Sequence, residues 1–512
     1  MSDHSDHDPA EELPDAPPTK PEIQDSSDDE SSGSFAAKRG ELKSSPPPTD
    51  SKKDIKAIFD SDDDFGSDVD LDADMAAITV DAPDVKPDIK PSSSSSNSDP
   101  EEMLAFYKRL FPWRTLFQWL NHSPVPTHDF GHREFAFTLQ NDVYLRYQSF
   151  ATFEMLRKDV IRLNPSRFEI GPVYSANPRD RKTLRKAAFK PISKELVFDI
   201  DLTDYDDVRT CCDKANICKK CWQFITVAIK IMDVALREDL GFKHIMWIYS
   251  GRRGAHAWVC DKRARTMDDQ KRRAVAAYLE VVRGNDKSGK RVNLRRPLHP
   301  HLSRSLDVLI ENFGQEVLRD QDPWRKEEDA ERLLELLQDK TLAAELRKQW
   351  TSDPGRSSKQ KWDDINSTAS KTNSNTLNAL KLKSAKEDII FEYLYPRLDA
   401  EVSKHLNHLL KSPFVVHPGT GRVCVPIDHE NPENFDPLTV PTVRQLLKEI
   451  DEWEAAHKED APMSEEEKVP DVDKTSLKPY ADYFRRFVQG VMKEEMKEVK
   501  VKRERGADAM EF

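Results

Sequence analysis

The chain of 512 residues contains no run of eighteen or more apolar residues, so nothing in it reads as a membrane-spanning helix. Its first residues, MSDHSDHDPAEELPD, lack the basic and apolar regions of a secretory signal. Cysteine is scarce: there are six, four of them between Cys211 and Cys221, too few and too clustered for a disulfide framework. These absences predict a soluble intracellular protein in a reducing compartment. No periodic repeat is present, which excludes solenoid and propeller architectures. Aliphatic residues are sparse in residues 1–100, where Ser, Pro and acids crowd together, so this stretch cannot bury enough apolar surface to offset the entropy of ordering. It reads as a disordered acidic arm.

The arm holds 26 of the 92 acidic residues but only 9 of the 79 Lys and Arg. The formal charge of −13 is therefore a property of the arm, and residues 101–512 carry 66 acids against 70 bases, a net of about +4. A mildly basic folded part permits nucleotide or nucleic-acid binding without demonstrating it. Inside the arm, Ile55, Ile58 and Phe59 form an apolar island among acids that fits a short partner-docking motif. Acid-flanked Ser26, Ser27 and Ser61 are candidate phosphorylation sites, and VKPD at Lys86 and VKRE at Lys502 fit a short hydrophobic-Lys-x-acid modification pattern.

Past the arm, Leu104, Tyr107, Leu110, Leu116 and Leu120 keep helical spacing, interrupted at Pro112. REFAFTL, DVYLRYQSF, RFEIGPVY and ELVFDID read as strands, with a helix over Phe153 to Leu163 between the second and third. FKHIMWIYSGRRGAHAWVCD reads as two strands across a tight turn, and Met267 to about Lys386 as a charged helical subdomain. YPRLDAEVSKHLNHLLKSPFVVHPGTGRVCVPID combines a helix with a hairpin turned at Pro418 to Gly421. Beyond Asp451, Leu477, Tyr480, Phe484, Phe487 and Val491 hold helical spacing, so this last helix docks on the body or on a partner.

Asp199 and Asp201 are two apart in a strand, hence on one face, while Leu196, Phe198 and Ile200 face the other way into a core. Two like charges about 7 Å apart destabilise a sheet unless something neutralises them. A pair of divalent cations does so in two-metal phosphoryl transfer, but the spacing equally fits a solvated strand end running into the acidic turn TDYDD. In YSGRRGAHAW, Gly251 and Gly254 let the backbone approach a ligand, Arg252 and Arg253 offer planar donor forks for phosphate oxygens, and His256 reaches the same anion. The alternative is an exposed hairpin whose charges discourage edge pairing; acids and arginines at neighbouring strand ends favour a nucleotide–metal complex. Cys211, Cys212, Cys218 and Cys221, spaced CC-x5-C-x2-C, satisfy a closed tetrahedral Zn²⁺ site, with the adjacent pair demanding a bent backbone. Cys260 and Cys424 lie on apolar strands and read as core. Lys411, read as lying at a helix end, and His417, on a strand, are weak signals alone.

In order and at family-like intervals from about Glu101 to Leu447, the strings HREFAFTL, VYLRYQSF, ELVFDIDLTDYDDVRTCC…ICKKCW, GFKHIMWIYSGRRGAHAWVCD and YPRLDAEVSKHLNHLLKSPFVVHPGTGRVCVPID resemble the catalytic small subunit of eukaryotic DNA primase, within the archaeal and eukaryotic primase superfamily. The resemblance implies an α/β (α+β) catalytic core over residues 101–450, with an RNA-recognition-type mixed sheet, a zinc knuckle at 211–221 and an inserted helical subdomain at about 267–386. Residues 451–512 are then a charged C-terminal extension. It implies that Asp199, Asp201 and Asp399 hold catalytic Mg²⁺ or Mn²⁺. Ser250, Arg252, Arg253, His256, Lys411 and His417 would bind the nucleotide's phosphates, with further nucleotide contacts from Arg146 and Arg167. Cys211, Cys212, Cys218 and Cys221 match structural Zn²⁺ ligands.

The implied activity is DNA-templated synthesis of short RNA primers from ribonucleoside triphosphates. Implied partners are an iron–sulfur large subunit, the catalytic and accessory subunits of DNA polymerase alpha and a single-stranded DNA template, in the nucleus and with no membrane. Two rival classes stand beside it: a non-catalytic zinc-stabilised scaffold that binds nucleic acid, and a metal-dependent nuclease using the same acids. DID, SGRRGAH and a third Asp weigh against the first, and a triphosphate-binding basic turn against the second.

Overall fold

A computed structural model describes residues 99–282, 291–371, 379–457 and 469–508, the last ten of these as helix backbone alone. The apolar island at Ile55 to Phe59, Lys86 and the candidate phosphoserines lie outside them, and Lys502 falls where only helix backbone is described. Nine strands are described: β1 Arg133–Thr138, β2 Tyr144–Gln148, β3 Arg167–Tyr174, β4 Pro191–Ser193, β5 Leu196–Asp201, β6 Ile245–Tyr249, β7 Gly254–Val259, β8 Leu410–Lys411 and β9 Pro426–Ile427. They form two sheets, one ordered β2-β1-β3-β4 with β8 also on β3, the other β5-β7-β6-β9. Every strand pairing is antiparallel. With the many helices this makes the chain an α+β protein, and the four-stranded second sheet, which carries the DID strand, is antiparallel throughout.

The first sheet turns Phe135, Phe137, Phe168 and Ile170 toward the N-terminal helices Pro100–Arg109 and Trp113–Asn121. Phe111 and Trp113 pack on Phe168 with ring centroids 5.5 and 6.3 Å away. Pro112 separates the two helices as expected, because a proline amide cannot continue the hydrogen-bond ladder. The second sheet is covered on both faces, by the helix Lys219–Val234 on one and by Trp119 and the helix Lys478–Asp508 on the other. Double coverage explains why Val197, between the two core residues Leu196 and Phe198 and on the carboxylate side, is as buried as they are. Only the last turn of β5 opens outward.

Helices Asp269–Leu279, Pro300–Gln315, Glu327–Leu337, Lys340–Ser352, Ser358–Ala369 and Ala379–Leu394 form the helical region, which leaves the second sheet after β7 and returns at Leu398–Asp399 beside β5. The C-terminal helix docks on the body: Leu477, Phe484, Val488 and Val491 are buried, and Phe484 meets Trp119 at 5.9 Å and Phe414 at 5.2 Å. Tyr480 and Phe487 are partly buried against the same core.

The base of β5 is fixed by a buried ion pair. Arg133 donates Nη1 to Glu195 Oε2 at 2.8 Å and Nη2 to Oε1 at 3.1 Å, with both side chains inaccessible to solvent. Burial alone would raise the Glu195 pKa, but the Arg133 guanidinium and His122 hold it well below its ordinary 4.5. Its stabilisation is therefore fully present above that value, declines as pH drops below it, and is lost as pH falls through the depressed one. Glu195→Gln should destabilise the chain at pH 7 by about 3 kcal/mol, because it strands a buried guanidinium. Urea unfolding checks this, and the gap to the wild type should shrink as pH drops below 4.5.

Candidate active site

β5 and β7 pair residue for residue, with Asp199 opposite His256 and Asp201 opposite Gly254. The hairpin β6-turn-β7 thus lays the SGRRG turn against the end of the DID strand. Gly254 is required there: a Cβ would meet the Ile200 carbonyl oxygen at 2.4 Å. Gly251 has φ +88°, and a Cβ on it would meet His417 Cβ at 2.6 Å. The Ser250 hydroxyl accepts from the Gly254 amide at 3.0 Å, and Tyr249 OH donates to the Arg252 carbonyl at 3.0 Å. Across the turn, Thr420 Oγ1 donates to the Gly251 carbonyl at 2.7 Å, so the 416–423 hairpin closes over it. The turn is half-buried, not a free solvent loop.

Asp399 reaches the site from some two hundred residues away: its amide donates to the Asp199 carbonyl at 3.1 Å, and Asp199 and Asp399 form an isolated bridge beside β5. It also caps the short helix Ala400–Lys404, Oδ1 accepting from Glu401 N at 3.1 Å. Burial, then Asp201, raises the Asp199 pKa to about 7, with Asp399 and Asp204 adding to the rise and Lys411 opposing it. Asp204, read in the sequence only as part of an acidic turn, is a fourth carboxylate of this group. Burial, Asp201 and Asp399 push it to about 6. Asp201 goes the other way: burial is outweighed by the Thr203 amide, 2.8 Å from Oδ1, and by Arg253, which holds it below its ordinary value. Arg253 Nε lies 2.8 and 2.9 Å from the two Asp201 oxygens.

The remaining predicted anion contacts divide into two groups. Lys411 lies on β8, not at a helix end, because the chain after Lys404 extends and pairs with β3, setting Lys411 opposite Glu169. From there its charge acts on Asp199, His256 and His417. Burial, then Lys411, lowers the His256 pKa to about 3, so its 3.5 Å contact with Asp199 is made by a neutral imidazole. Burial, then Lys411, Arg252, Arg167 and Arg253, lower His417 to about 3 as well. Ser250, Arg252, Arg253, His256, Lys411, His417 and Arg167 therefore surround one place. Arg146 stands apart on β2, its Nε 3.0 Å from Glu134 Oε1. It joins the group only through Tyr144, whose hydroxyl donates to Glu169 at 2.6 Å.

A buried network that the sequence reading missed ties Asp399 to the DID strand. Arg397, two residues before Asp399, donates Nη1 to the Asp204 carbonyl at 2.6 Å and also to Asp207, while its amide donates to Tyr205 OH at 3.0 Å. Arg291 binds the other Asp207 oxygen, and Glu392 accepts from Arg332 at 2.7 Å. The network joins the helical region to the acidic turn.

Beyond that turn, Cys211, Cys212, Cys218 and Cys221 gather with all sulfurs within 4.8 Å of one another. Among the described residues no other set of three or more His, Cys, Asp or Glu is so close. Hydrogen bonding from Cys211, then, against burial, the Cys218 amide and Arg209, pull the Cys221 thiol below its ordinary value. Gln321 Oε1 accepts from the Thr210 and Cys211 amides at 2.9 and 3.2 Å, which holds the bend the adjacent cysteines need. Cys260 and Cys424 are buried core residues.

The family model described as DNA primase small subunit matches residues 198–429, which hold the carboxylates, the turn, the thiols and the 416–423 hairpin. A curated DNA primase small subunit of Schizosaccharomyces pombe is 56% identical over 411 residues, 77% of this chain and 90% of that protein. The chain belongs to the DNA primase small subunit family. Those of Saccharomyces cerevisiae and Drosophila melanogaster are 45% and 39% identical, over 80% and 76% of this chain and 95% and 91% of theirs. Family membership makes primase catalytic-subunit chemistry the frame for the site, and the turn glycines are where its geometry is most exposed to test. Gly251→Ala should lift the 416–423 hairpin off the turn, seen as faster amide exchange at Val416 to Val423 and a lower melting temperature. Unchanged exchange would contradict the close approach.

Proposed function

We propose that this chain is the catalytic subunit of a DNA primase, copying a single-stranded DNA template into short RNA primers from ribonucleoside triphosphates by two-metal nucleotidyl transfer. The observation that carries the reading is the β5–β7 pairing, which sets Asp199 and Asp201 against an anion-receptive turn and brings Asp399 to the same strand end. The donor chemistry fits Mg²⁺ or Mn²⁺: burial, and after it the neighbouring carboxylates, raise the pKa of Asp199 to about 7, and a bound cation would favour its charged form. Asp199, Asp201 and Asp399 would hold such ions, which when bound activate an attacking 3′-oxygen and stabilise the departing one.

The chain's own work is alignment and charge stabilisation. Arg252, Lys411 and Arg167 supply positive charge around the triphosphate position, while neutral His256 and His417 donate N–H groups without adding charge. Arg253 holds Asp201 in place through its carboxylate contact, and Ser250 fixes the turn. Arg146, on Glu134, is positioned for a more distant nucleotide contact. No side-chain nucleophile is needed.

The four thiols fit structural Zn²⁺, since a closed soft-donor set leaves no open position for catalysis. All six cysteines are accounted for by this cluster and two core positions, so an iron–sulfur centre in the assembly would come from a large-subunit partner. DNA polymerase alpha subunits as further partners, and a nuclear location, follow from the same reading.

Primer formation on single-stranded DNA with ribonucleotides and Mn²⁺ tests the activity. Asp199→Ala should remove the product without changing thermal unfolding. Equal product from the variant would contradict the mechanism, and template cleavage in place of synthesis would point to a nuclease. Metal analysis should find about one equivalent of Zn²⁺ per chain, and Cys218→Ser should lower folded yield far more than triphosphate affinity. Zinc-free protein of full stability would overturn the structural role.

A further inference from the structure

The connection from β3 to β4, residues 175–190, reads SANPRDRKTLRKAAFK and carries six Lys and Arg against one acid. No sequence motif drew attention to it, and neither the metal site nor the triphosphate position uses it. Arg185, Lys186 and Lys190 are exposed, and among the described residues no carboxylate bridges them. By contrast Arg179 is spent locally, 3.5 Å from Asp159 and over the Phe150 ring.

The loop is built onto the site rather than hanging free. Phe189 stacks on Tyr174 with centroids 4.1 Å apart and planes 4° from parallel, and Tyr174 OH donates to Glu134 at 3.1 Å. Glu134 also accepts from Arg146 and from the Tyr147 amide at 3.1 Å. Tyr147 has φ +60°, a conformation that a bulky non-glycine residue holds only when its surroundings impose it. Held so, its ring lies under two guanidinium groups, Arg146 at 4.9 Å and Arg181 of the loop at 4.1 Å. A polar strip therefore runs along one face of the first sheet. It passes from Lys411 and Arg167 through Glu169, Tyr144, Arg146 and Glu134 to Tyr147 and the loop cations.

We propose that this loop is a binding track for the phosphodiester backbone of a nucleic-acid strand, with Arg181, Arg185, Lys186 and Lys190 contacting successive phosphates of the strand whose end lies at the carboxylates. Exposed Arg185, Lys186 and Lys190, with no bridging carboxylate among the described residues and pinned by aromatic stacking on the sheet that carries Arg167 and Lys411, suit a polyanion of regular charge spacing. Contacts to phosphates fix register and carry no base preference. The inference rests on the primase reading only for where the strand leads; binding itself is separable from synthesis.

The test uses the full chain and fluorescent single-stranded oligonucleotides of mixed sequence, read by anisotropy across a salt series. Each phosphate contact on a single strand contributes roughly 0.7 to the slope of log affinity against log salt. The triple variant Arg185→Ala, Lys186→Ala, Lys190→Ala should thus lower the slope by about 2 and weaken binding at least about tenfold at low salt, equally for different sequences. A control carrying the same charge change on the helical region, Lys326→Ala, Lys340→Ala, Lys348→Ala, should bind as the wild type does. Wild-type affinity and slope in the loop variant overturn the proposal, and so does an equal loss in the control. If the wild type makes no primers yet the loop variant loses binding, the primase reading fails and the track stands.

Discussion

Everything at this site depends on the antiparallel ladder between β5 and β7. It works because Gly254 lets β7 come within contact of the Ile200 carbonyl, where any Cβ would collide. With that approach, the strand end bearing Asp199 and Asp201 and the turn bearing Arg252 and Arg253 become neighbours although they are separated by about fifty residues. Burial of the sheet on both faces then leaves a single outlet at the carboxylate end. Ladder and burial together concentrate opposite charges in one small region.

That concentration has two consequences. The carboxylates repel one another and are desolvated, so Asp199 rises to about 7 while Asp201 is held down by Arg253 and the Thr203 amide. Around them burial, and then Lys411, keep His256 and His417 neutral, with Arg252 and Arg167 adding to the effect at His417. Crowded carboxylates, only one of them paired directly with an arginine, stand beside neutral imidazoles and further cationic side chains, which is the arrangement expected where a cation and a polyanion bind together. The Arg397–Asp207 network and the buried Arg133–Glu195 pair hold this frame from the two ends of β5.

Period-2 alternation made β5 legible in the sequence, and the glycines made the turn legible, because both signals are local. Spacing alone left Asp199 and Asp201 balanced between metal ligands and a solvated strand end. Asp399 carries no local signal: what brings it in is a backbone bridge across two hundred residues, and only the family resemblance pointed to it. HLNHLLKS has helical composition and so suggests a helix end for Lys411, whereas the chain there pairs with β3. Glu134 and Arg397 were invisible for a different reason. A buried charge is recognised by its partner, and both partners are remote in sequence. The C-terminal helix showed its apolar stripe plainly, but a stripe does not name the surface that covers it; here it is Trp119 and Phe414.

Diffraction from crystals soaked with Mn²⁺ and a non-hydrolysable ribonucleoside triphosphate, with anomalous maps at the manganese edge, tests the central claim most directly. Manganese peaks against the carboxylates of Asp199, Asp201 and Asp399, with the triphosphate against Arg252, His256, Lys411 and His417, are the result predicted. Manganese and triphosphate bound elsewhere, with those side chains untouched, would contradict it.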